Sequence, residues 1–517
     1  MHHESTTELP TVNDFSAIAA THNADKVAFG DGIDGRSVTW EAFDTESNRA
    51  ANAFSQYVSQ GDRIAFFCEN SIEHTILWNG ALKAGAIASN LHVKAAPNTI
   101  AYMINTIRPR VIAVDDDTVD FFNERIREKI ESDLNVVVSA DSSPAENEVP
   151  YDEFLADQEE TPPDIRVRED DIAVIMWTSG TTGQPKGWCH THRSLYLRAM
   201  VLTDVLELNR SARQPHVFTP SFAAWYSAIL PALISGATTY FLQSWDPDRY
   251  LALIDEYELT TAMLVPTMWR EMVDSPNFDQ YEVGSLEAIV SAGEVLTPTT
   301  LQRLRDNVCE TVRNSYASTE AFSTVMANDE LIEERIESVG KPVPGVQIRI
   351  IDPDGTYEDE LPTDEVGELA VNAPDSPVWA WGRSEKTKEA FEDGWWYSGD
   401  LGYKDDEGFL YLEGRTDFMI KSKGIKVYPS PIEERLNAHG DVIESAVVGE
   451  EDEEYGQMVV AHVRTDNPDL TAEELDEWCL ESDNIARFER PREYRFEREQ
   501  LPRTATGKLD RLSLTDD

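Results

Sequence analysis

Short apolar segments alternate with segments of helical periodicity along residues 60–291, and this alternation limits the possible folds more than any other feature. A short apolar run between helices is typical of a strand buried on both faces of a parallel sheet. The alternation therefore predicts an α/β fold, with a large N-terminal domain of mixed, mostly parallel sheets and helices. We predict a helix at residues 75–86 and strands at residues 63–67, 111–114, 136–140, 172–178, 238–242, 262–265 and 288–291.

The chain changes character after about residue 340, where Gly, Pro and Asp turns become frequent. This pattern of short apolar runs between turns predicts a β-rich subdomain at about residues 340–415, with strands at residues 346–351, 367–371, 395–398 and 409–412. The remaining residues predict a small α+β unit, with helices at residues 431–439 and 472–480 and strands at residues 443–449 and 458–463. Because 517 residues are too many for one core, we predict a large N-terminal domain at residues 1–415 and a small, mobile C-terminal domain at residues 416–517.

Acidic residues dominate the chain, with 96 Asp and Glu against 44 Lys and Arg and a formal net charge of −52. Such a charge repels nucleic acid and anionic lipid, so neither is an expected partner. The acids are scattered along the chain, as in proteins of salt-loving microbes, where concentrated cations screen the repulsion. We therefore expect a halophilic protein that unfolds partly at low salt.

The cysteine pattern and the N-terminus indicate the compartment. The four cysteines are far apart and form no CxxC pair, which favours a reducing environment without disulfides or a structural zinc site. The N-terminus lacks the basic and apolar regions of a signal peptide. The most apolar run, at residues 76–91, is too short and too interrupted to span a bilayer. The expected location is the cytoplasm.

A Gly-rich segment, TSGTTGQPKG at residues 178–187, follows a predicted strand. Its glycines let the backbone curl around an anion, its hydroxyls can donate to phosphate oxygens, and its lysine adds a positive charge. The spacing differs from that of a Walker A loop. The alternative is an ordinary turn between a strand and a helix. The residues predicted to bind phosphate are Thr178, Ser179, Gly180, Thr181, Thr182, Gly183 and Lys186.

Two other patterns carry no chemistry in our interpretation. Residues 30–35 match the dinucleotide-binding pattern GxGxxG, but a strand rather than a helix follows them, so we predict a hairpin turn. His190 and His192 lie beside Cys189, yet the neighbouring sequence offers no further ligands for zinc. The sequence also contains no GxSxG motif, so hydrolase chemistry has no support.

Three more segments contain residue types that suit a nucleotide. Residues 314–320, NSYASTE, combine an aromatic ring for stacking, a hydroxyl for phosphate and a carboxylate for magnesium. Asp400 ends a predicted strand, where a carboxylate can accept both ribose hydroxyls, and Arg415 could reach the same ribose. Lys508 lies in a polar loop near the C-terminus. Taken singly, these segments could also be an exposed turn, a helix or strand cap and a polar tail.

Together with VSAGEVL at 290–296, GKP at 340–342 and KG at 423–424, these motifs resemble the adenylate-forming superfamily of acyl-CoA synthetases, peptide-synthetase adenylation domains and luciferases. The resemblance covers nearly the whole chain and is greatest to short- and medium-chain and aromatic acyl-CoA synthetases. It implies an acid–thiol ligase that uses ATP and Mg²⁺ to form an acyl-adenylate, and then transfers the acyl group to coenzyme A. The enzyme would be a monomer or a homodimer.

The resemblance implies catalytic roles for five residues. Thr178 and Lys186 belong to the loop that holds the β- and γ-phosphates. Thr319 bonds the α-phosphate, and Glu320 binds Mg²⁺. Lys508 reaches the α-phosphate and the acyl carboxylate during adenylation, and the C-terminal domain then rotates to admit the thiol.

Further binding residues follow from the same resemblance. Asp400 and Arg415 hold the ribose, Asp417 is the hinge of the small domain, and Gly424 lines the tunnel for CoA. The residues implied to enclose adenine are Gly293, Glu294, Asn314 and Tyr316. The residues implied to line the acyl pocket are Trp225, Tyr226, Ser291, Ala292 and Ala317.

Two residues depart from the family pattern. Ala223 stands where relatives often carry a histidine, and Ala317 stands where many carry glycine and acetate enzymes carry tryptophan. Alanine at 317 implies an acyl tunnel that is open but slightly narrowed, which disfavours an acetate-only enzyme. Trp225 and Tyr226 in the pocket would suit a medium-chain fatty or aromatic acid. Two other functions stay open: a stand-alone adenylation enzyme that loads a carrier-protein thiol, and a nucleotide-binding protein without catalysis.

Overall fold

The computed structural model describes residues 9–131, 134, 136–139, 148–178, 184–294, 296–321, 323–327, 335, 337–353, 355–382, 387, 390–423, 425–452, 455–482, 485–503 and 509–515. The chain divides into two compact units. The first comprises Met1–Gln347 and Val371–Trp396, and the second comprises Ile348–Ala370 and Tyr397–Asp517.

The strands follow one another along the chain as β1 Val27–Asp31, β2 Ser37–Thr39, β3 Arg63–Phe67, β4 Ile87–Asn90, β5 Val111–Val114, β6 Val136–Ser139, β7 Glu148–Pro150, β8 Ile172–Thr178, β9 Lys186–Thr191, β10 Arg213–His216, β11 Thr238–Phe241, β12 Thr261–Leu264, β13 Ala288–Ala292, β14 Val312–Ala317, β15 Ser323–Ala327, β16 Lys341–Pro342, β17 Gln347–Ile351, β18 Gly367–Asn372, β19 Trp379–Ala380, β20 Phe391–Glu392, β21 Trp395–Lys404, β22 Leu410–Arg415, β23 Ile420–Ser422, β24 Ile425–Val427, β25 Glu444–Asp452, β26 Gly456–Arg464 and β27 Glu493–Glu497.

The α-helices are α1 Asn13–Asn23, α2 Trp40–Phe54, α3 Ile72–Lys83, α4 Pro97–Ile107, α5 Val119–Phe121, α6 Tyr151–Leu155, α7 His192–Val205, α8 Ala223–Ser235, α9 Pro247–Tyr257, α10 Pro266–Val273, α11 Pro298–Asn307, α12 Pro429–Asn437 and α13 Ala472–Leu480. Single helical turns of other types occupy Phe122–Ile126, Arg127–Lys129, Phe278–Gln280, Thr416–Phe418 and Arg511–Leu514. Among the described helices, none has both the length and the apolar composition needed to cross a bilayer.

The largest sheet of the first unit has the strand order β19-β9-β8-β4-β3-β5-β6-β7. The strands from β8 to β7 in that order are parallel, as their burial on both faces predicts, whereas β9 runs antiparallel to β8. Two smaller sheets, β10-β11-β1-β2 and β12-β13-β14-β15-β16, are parallel with antiparallel edges. The prediction of mixed, mostly parallel sheets with helices is confirmed.

Helix starts in this unit follow from capping side chains. Ser71, which precedes α3, accepts a hydrogen bond from the backbone N–H of His74, so the helix begins three residues before the predicted residue 75. The predicted hairpin at residues 30–35 is confirmed, because β1 and β2 pair antiparallel. Asp31 accepts hydrogen bonds from the backbone N–H groups of Ile33 and Asp34 in that turn.

The core of the first unit contains apolar residues from both faces of the sheets, and it also contains cysteine side chains. Cys68 and Cys189 are buried in it, and Cys309 is buried in a second apolar cluster. Burial raises the pKa of the Cys68 thiol and raises that of Cys189 to about 12. The thiols of Cys68 and Cys189 are therefore protonated at neutral pH.

The second unit contains two small sheets. In one, β18 lies between β17 and β21, and β22 pairs with β21. In the other, β23, β25 and β27 surround β26, and α12 and α13 lie against this sheet. The predicted helix at residues 472–480 is confirmed in its bounds, because a capping box between Thr471 and Glu474 fixes its start. Cys479, on this helix, is buried as well.

Candidate active site

The ends of the Gly-rich segment lie directly opposite each other. Thr178 ends β8 and pairs with Lys186, which starts the antiparallel strand β9. The segment therefore joins two strands, and the alternative of a turn between a strand and a helix is wrong. Ser179, Gly180, Thr181, Thr182 and Gly183 lie outside the described residues. The glycines and hydroxyl side chains of this segment are the residue types that suit a phosphate.

Neighbouring parallel strands bring the predicted adenine residues together. Ser291 of β13 pairs with Asn314 of β14, and both are buried. Gly293 follows β13 with a φ of +88°, a left-handed conformation that glycine adopts without strain. Tyr316, at the same end of β14, is half-buried. Ligands commonly bind at the carboxyl ends of parallel strands, where these side chains lie.

Glu294 is exposed at this edge and is held by a threonine. Its carboxylate accepts hydrogen bonds from the hydroxyl of Thr267 at 2.7 Å and from the backbone N–H of the same residue at 3.2 Å. Ala292 and Ala317 are half-buried beside it on β13 and β14. Because both side chains are small, they occupy little volume at this edge of the sheet.

Thr319 and Glu320 follow β14 in a short turn. The hydroxyl of Ser318 accepts from the backbone N–H of Ala321 at 2.8 Å and thereby fixes the backbone around both residues. The indole N–H of Trp188 donates to Oε1 of Glu320 at 2.7 Å. Since Trp188 follows Lys186 by two residues on β9, this bond joins the strand behind the Gly-rich segment to the predicted magnesium ligand.

The residues around Glu320 fit a magnesium ion. Mg²⁺ is usually bound by one or two carboxylates together with substrate phosphates, rather than by an all-protein cage. Glu320 supplies a hard carboxylate oxygen, and its two oxygens have acceptor capacity beyond the bond to Trp188. Within the described part of the chain, no three His, Cys, Asp or Glu side chains gather as a metal cluster. One carboxylate, bonded to the strand that follows the predicted phosphate-binding segment, fits a metal ion that a nucleotide would also ligate.

His190, two residues beyond Trp188, is buried behind the same turn. Its ring faces backbone groups of Thr319 and Asp375, and burial, together with the nearby Arg198, lowers its pKa to about 3. A neutral imidazole therefore supports the Thr319 turn. The sequence drew attention to this histidine only as a rejected zinc ligand.

The predicted ribose residues pair in the second unit. Asp400 of β21 and Arg415 of β22 are register partners, and Arg415 Nη1 lies 2.8 Å from Asp400 Oδ1. The backbone N–H of Gly399, whose φ is +70°, donates to Glu368 at 2.9 Å. Burial raises the pKa of Glu368. Nothing in the sequence singled out this glutamate, because only the fold brings β18 beside β21.

Among the other predicted residues of the second unit, the structure describes Asp417. Asp417 is exposed in the turn Thr416–Phe418, and its carboxylate lies 3.8 Å from Arg415. Gly424 and Lys508 lie outside the described residues. On either side of residues 504–508, Arg503 and Leu509 form an antiparallel bridge, and the backbone N–H of Asp510 donates to the carbonyl oxygen of Pro502 at 2.8 Å.

Trp225 and Tyr226, predicted to line the acyl pocket, are fully buried in the core. Trp225 packs edge-on against Trp78, with ring centroids 5.1 Å apart. The hydroxyl of Tyr226 accepts from the amide of Asn90, which also donates to the carbonyl of Pro220. Their pocket role stays a prediction. Ala223, at the start of α8, is half-buried beside them.

The comparisons with known proteins agree across nearly the whole chain. The family model described as AMP-binding enzyme matches residues 15–376, and the model described as AMP-binding enzyme C-terminal domain matches residues 431–508. A 3-hydroxybenzoate–CoA/4-hydroxybenzoate–CoA ligase from Thauera aromatica is 30% identical over 493 residues, which are 93% of this chain and 92% of that protein.

Two solved structures are similar over the whole chain. The anthranilate CoA ligase AuaEII in complex with anthranoyl-AMP has a TM-score of 0.87 and 25% identity, and the match covers 99% of this chain and 98% of that one. The o-succinylbenzoate CoA synthetase MenE from Bacillus subtilis, in complex with ATP and a magnesium ion, has a TM-score of 0.84 and 25% identity, with 99% and 100% covered.

Proposed function

The chain belongs to the AMP-binding enzyme family, and from that premise we propose that it activates a carboxylic acid with ATP and transfers the acyl group to coenzyme A. The observation that carries this proposal is the hydrogen bond from Trp188 to Glu320. It joins the strand that follows the predicted phosphate-binding segment to a candidate metal ligand, although 132 residues separate the two side chains. This is the arrangement needed to bind a triphosphate with its metal. The names of the relatives as CoA ligases support the thiol acceptor.

The first half of the proposed reaction forms an acyl-adenylate. A carboxylate oxygen of the acid attacks the α-phosphorus of ATP, the bond to the oxygen that bridges to the β-phosphate breaks, and pyrophosphate leaves. We assign Thr178 and Lys186 to the β- and γ-phosphates and Thr319 to the α-phosphate. The charge of Lys508 would stabilise the negative charge that develops at the α-phosphate. Mg²⁺ held by Glu320 would neutralise phosphate charge.

The second half transfers the acyl group. The CoA thiolate attacks the acyl carbon, the bond from that carbon to the phosphate oxygen breaks, and AMP leaves. We propose that the small domain rotates about Asp417 between the halves, because Lys508 and an incoming thiol would need the same space. We retain residues 1–415 and 416–517 as the moving parts, with Gly424 facing the thiol. A disulfide that locks either conformation would stop one half-reaction and spare the other.

The nucleoside would be held by two further groups. We assign adenine to Gly293, Glu294, Asn314 and Tyr316. The pairing of β13 with β14, and the exposed edge of their carboxyl ends, support this assignment. We assign the ribose hydroxyls to Asp400 and Arg415, since a carboxylate can accept both hydroxyls while the guanidinium holds that carboxylate in place.

We propose an aromatic acid as the preferred substrate, and a medium-chain fatty acid as the next. Ala292 and Ala317, both half-buried with small side chains beside the proposed adenine residues, would admit a ring. The hydroxybenzoate and anthranilate ligases among the similar proteins support the same class.

The test measures acid-dependent pyrophosphate release in molar salt with 3-hydroxybenzoate, 4-hydroxybenzoate, anthranilate, octanoate and acetate. Acyl-CoA is detected by mass spectrometry in parallel reactions with and without CoA. We expect the aromatic acids to be fastest, acetate to be slowest, and acyl-CoA to form only when CoA is present. Adenylate formation without acyl-CoA from every acid would favour a carrier-protein thiol instead. No acid-dependent pyrophosphate at all would contradict the enzyme assignment.

A further inference from the structure

Trp188 lies on β9, which is paired on both sides in the large sheet. Its backbone pairs with Met176 of β8 on one side and with Ala380 of β19 on the other. Its side chain is 1% exposed and packs edge-on against Phe391, with ring centroids 5.5 Å apart. The backbone and the ring of Trp188 are therefore both held in place, and together they set the direction of the indole N–H.

That direction leads to Glu320. The indole N–H donates to Oε1 of Glu320 at 2.7 Å, a short bond from a donor to a carboxylate. Glu320 itself lies in a turn between β14 and β15, where Ser318 holds the backbone through its bond to Ala321. The sheet would thus hold the carboxylate from one side while the turn holds its backbone from the other.

From this geometry we infer that Trp188 is a positioning residue for the metal carried by ATP: its indole N–H fixes the rotamer of Glu320 so that the carboxylate faces the metal. The inference rests on the proposed function, in which Glu320 is the metal ligand. Hydrogen bonds that orient a ligating carboxylate commonly change metal affinity by about 10–100-fold when they are removed. Trp188 would not contact the nucleotide, and its loss should leave the binding of metal-free ATP unchanged.

The chain offers a matched control. The indole N–H of Trp245 donates to Oε2 of Glu271 at 2.6 Å, a bond of the same type at an exposed site. A change of Trp245 to Phe removes the same kind of hydrogen bond without touching the candidate active site. Trp188→Phe keeps an aromatic ring at the buried position and removes only the donor and part of the ring volume.

The experiment is calorimetric titration of the full-length protein with Mn²⁺–ATP, and separately with ATP in excess chelator, in the absence of acid and CoA. For Trp188→Phe we expect the affinity for Mn²⁺–ATP to fall about tenfold and the affinity for metal-free ATP to stay constant. For Trp245→Phe we expect neither affinity to change. Equal losses in both titrations of Trp188→Phe, or no loss in either, would overturn the inference.

Two further variants separate the possible failures. Glu320→Gln should lower the affinity for Mn²⁺–ATP, and adding Trp188→Phe to it should have no further effect, because the two residues act through one bond. If Glu320→Gln has no effect, the proposed metal ligand is wrong. If it has an effect while Trp188→Phe has none, only the role of Trp188 is wrong. Replacing Trp188 with 3-benzothienylalanine, which has sulfur in place of the N–H, keeps the ring volume should Trp188→Phe fold poorly, and it should reproduce the tenfold loss.

Discussion

His216 gives this protein a measurable sensitivity to acid. It ends β10, is 2% exposed, and its Nε2 lies 2.9 Å from the carbonyl oxygen of Phe218. A carbonyl can only accept, so Nε2 carries the proton and donates it. Burial lowers the pKa of this imidazole from its ordinary value of 6.5 to about 4. In the folded protein the ring therefore stays neutral at pH values where the unfolded chain is already protonated.

The sign and size of the effect follow from linkage. Because the folded pKa lies below the unfolded one, the neutral ring contributes stability above pH 6.5, and this contribution is lost as the pH falls towards 4. One pH unit between the two pKa values corresponds to about 1.4 kcal/mol, so the full loss is about 3 kcal/mol. About 2 kcal/mol of it should be lost by about pH 5.

His216→Gln removes the titration and keeps an amide that can donate to Phe218. Wild type and His216→Gln are unfolded in urea at constant molar salt, at pH values from neutral to about 5. Wild type should lose more free energy of unfolding, so that the difference between the two proteins shrinks by about 2 kcal/mol. His22→Gln, at an exposed position of α1, is the control and should run parallel to wild type. Wild-type and His216→Gln curves that stay parallel would refute the assignment of a neutral, buried imidazole.

Three other changes have expected outcomes. Lys508→Ala should lower acid-dependent pyrophosphate release by orders of magnitude and leave the melting temperature unchanged; unchanged pyrophosphate release would exclude the lysine from adenylation. Asn90→Ala should lower the free energy of unfolding in urea by about 2 kcal/mol or more, because it leaves the Pro220 carbonyl and the His74 ring without this buried partner, whereas a loss under about 1 kcal/mol would mean that water replaces the amide. The melting temperature should rise steeply between low and molar KCl, since the net charge of −52 repels itself; a flat salt dependence would contradict the halophilic interpretation.

The regular elements of the first unit could be predicted because burial leaves a simple pattern. The strands β3, β5 and β8 are short apolar runs, and their predicted bounds match the structure. The strand β9 was not predicted, since its sequence, KGWCHT, has no regular alternation and follows a Gly-rich segment. Its place at the sheet is set by pairing with β8 and β19, which local sequence does not reveal.

In the second unit, one strand is longer than predicted because it contains residues that are typical of turns. The prediction stopped β21 at residue 398, because glycine and aspartate follow and usually mark a turn. The strand in fact continues to Lys404, with Gly399 in a left-handed conformation and Asp400 paired with Arg415. Asp400 therefore lies inside a strand rather than beyond the end of one.

In the candidate site, contacts between residues far apart in the sequence were also not predictable. The residues on β13 and β14 could be grouped only through the resemblance to the adenylate-forming superfamily, because β14 itself was not predicted from the sequence. The bond from Trp188 to Glu320 could not, since it joins two sheets across 132 residues. No spacing rule connects an indole to a carboxylate at that separation.

The burial of the sulfur atoms has a consequence for an enzyme of this kind. Acyl-adenylates and thioesters acylate any accessible thiolate, and the protein that produces them is exposed to the highest local concentration. Here all four cysteines are buried, and burial raises the pKa of Cys68, Cys189 and Cys479. The cysteine thiols of the enzyme therefore do not compete with the acceptor thiol. The enzyme should complete many turnovers without inactivation by acylation of its own cysteines.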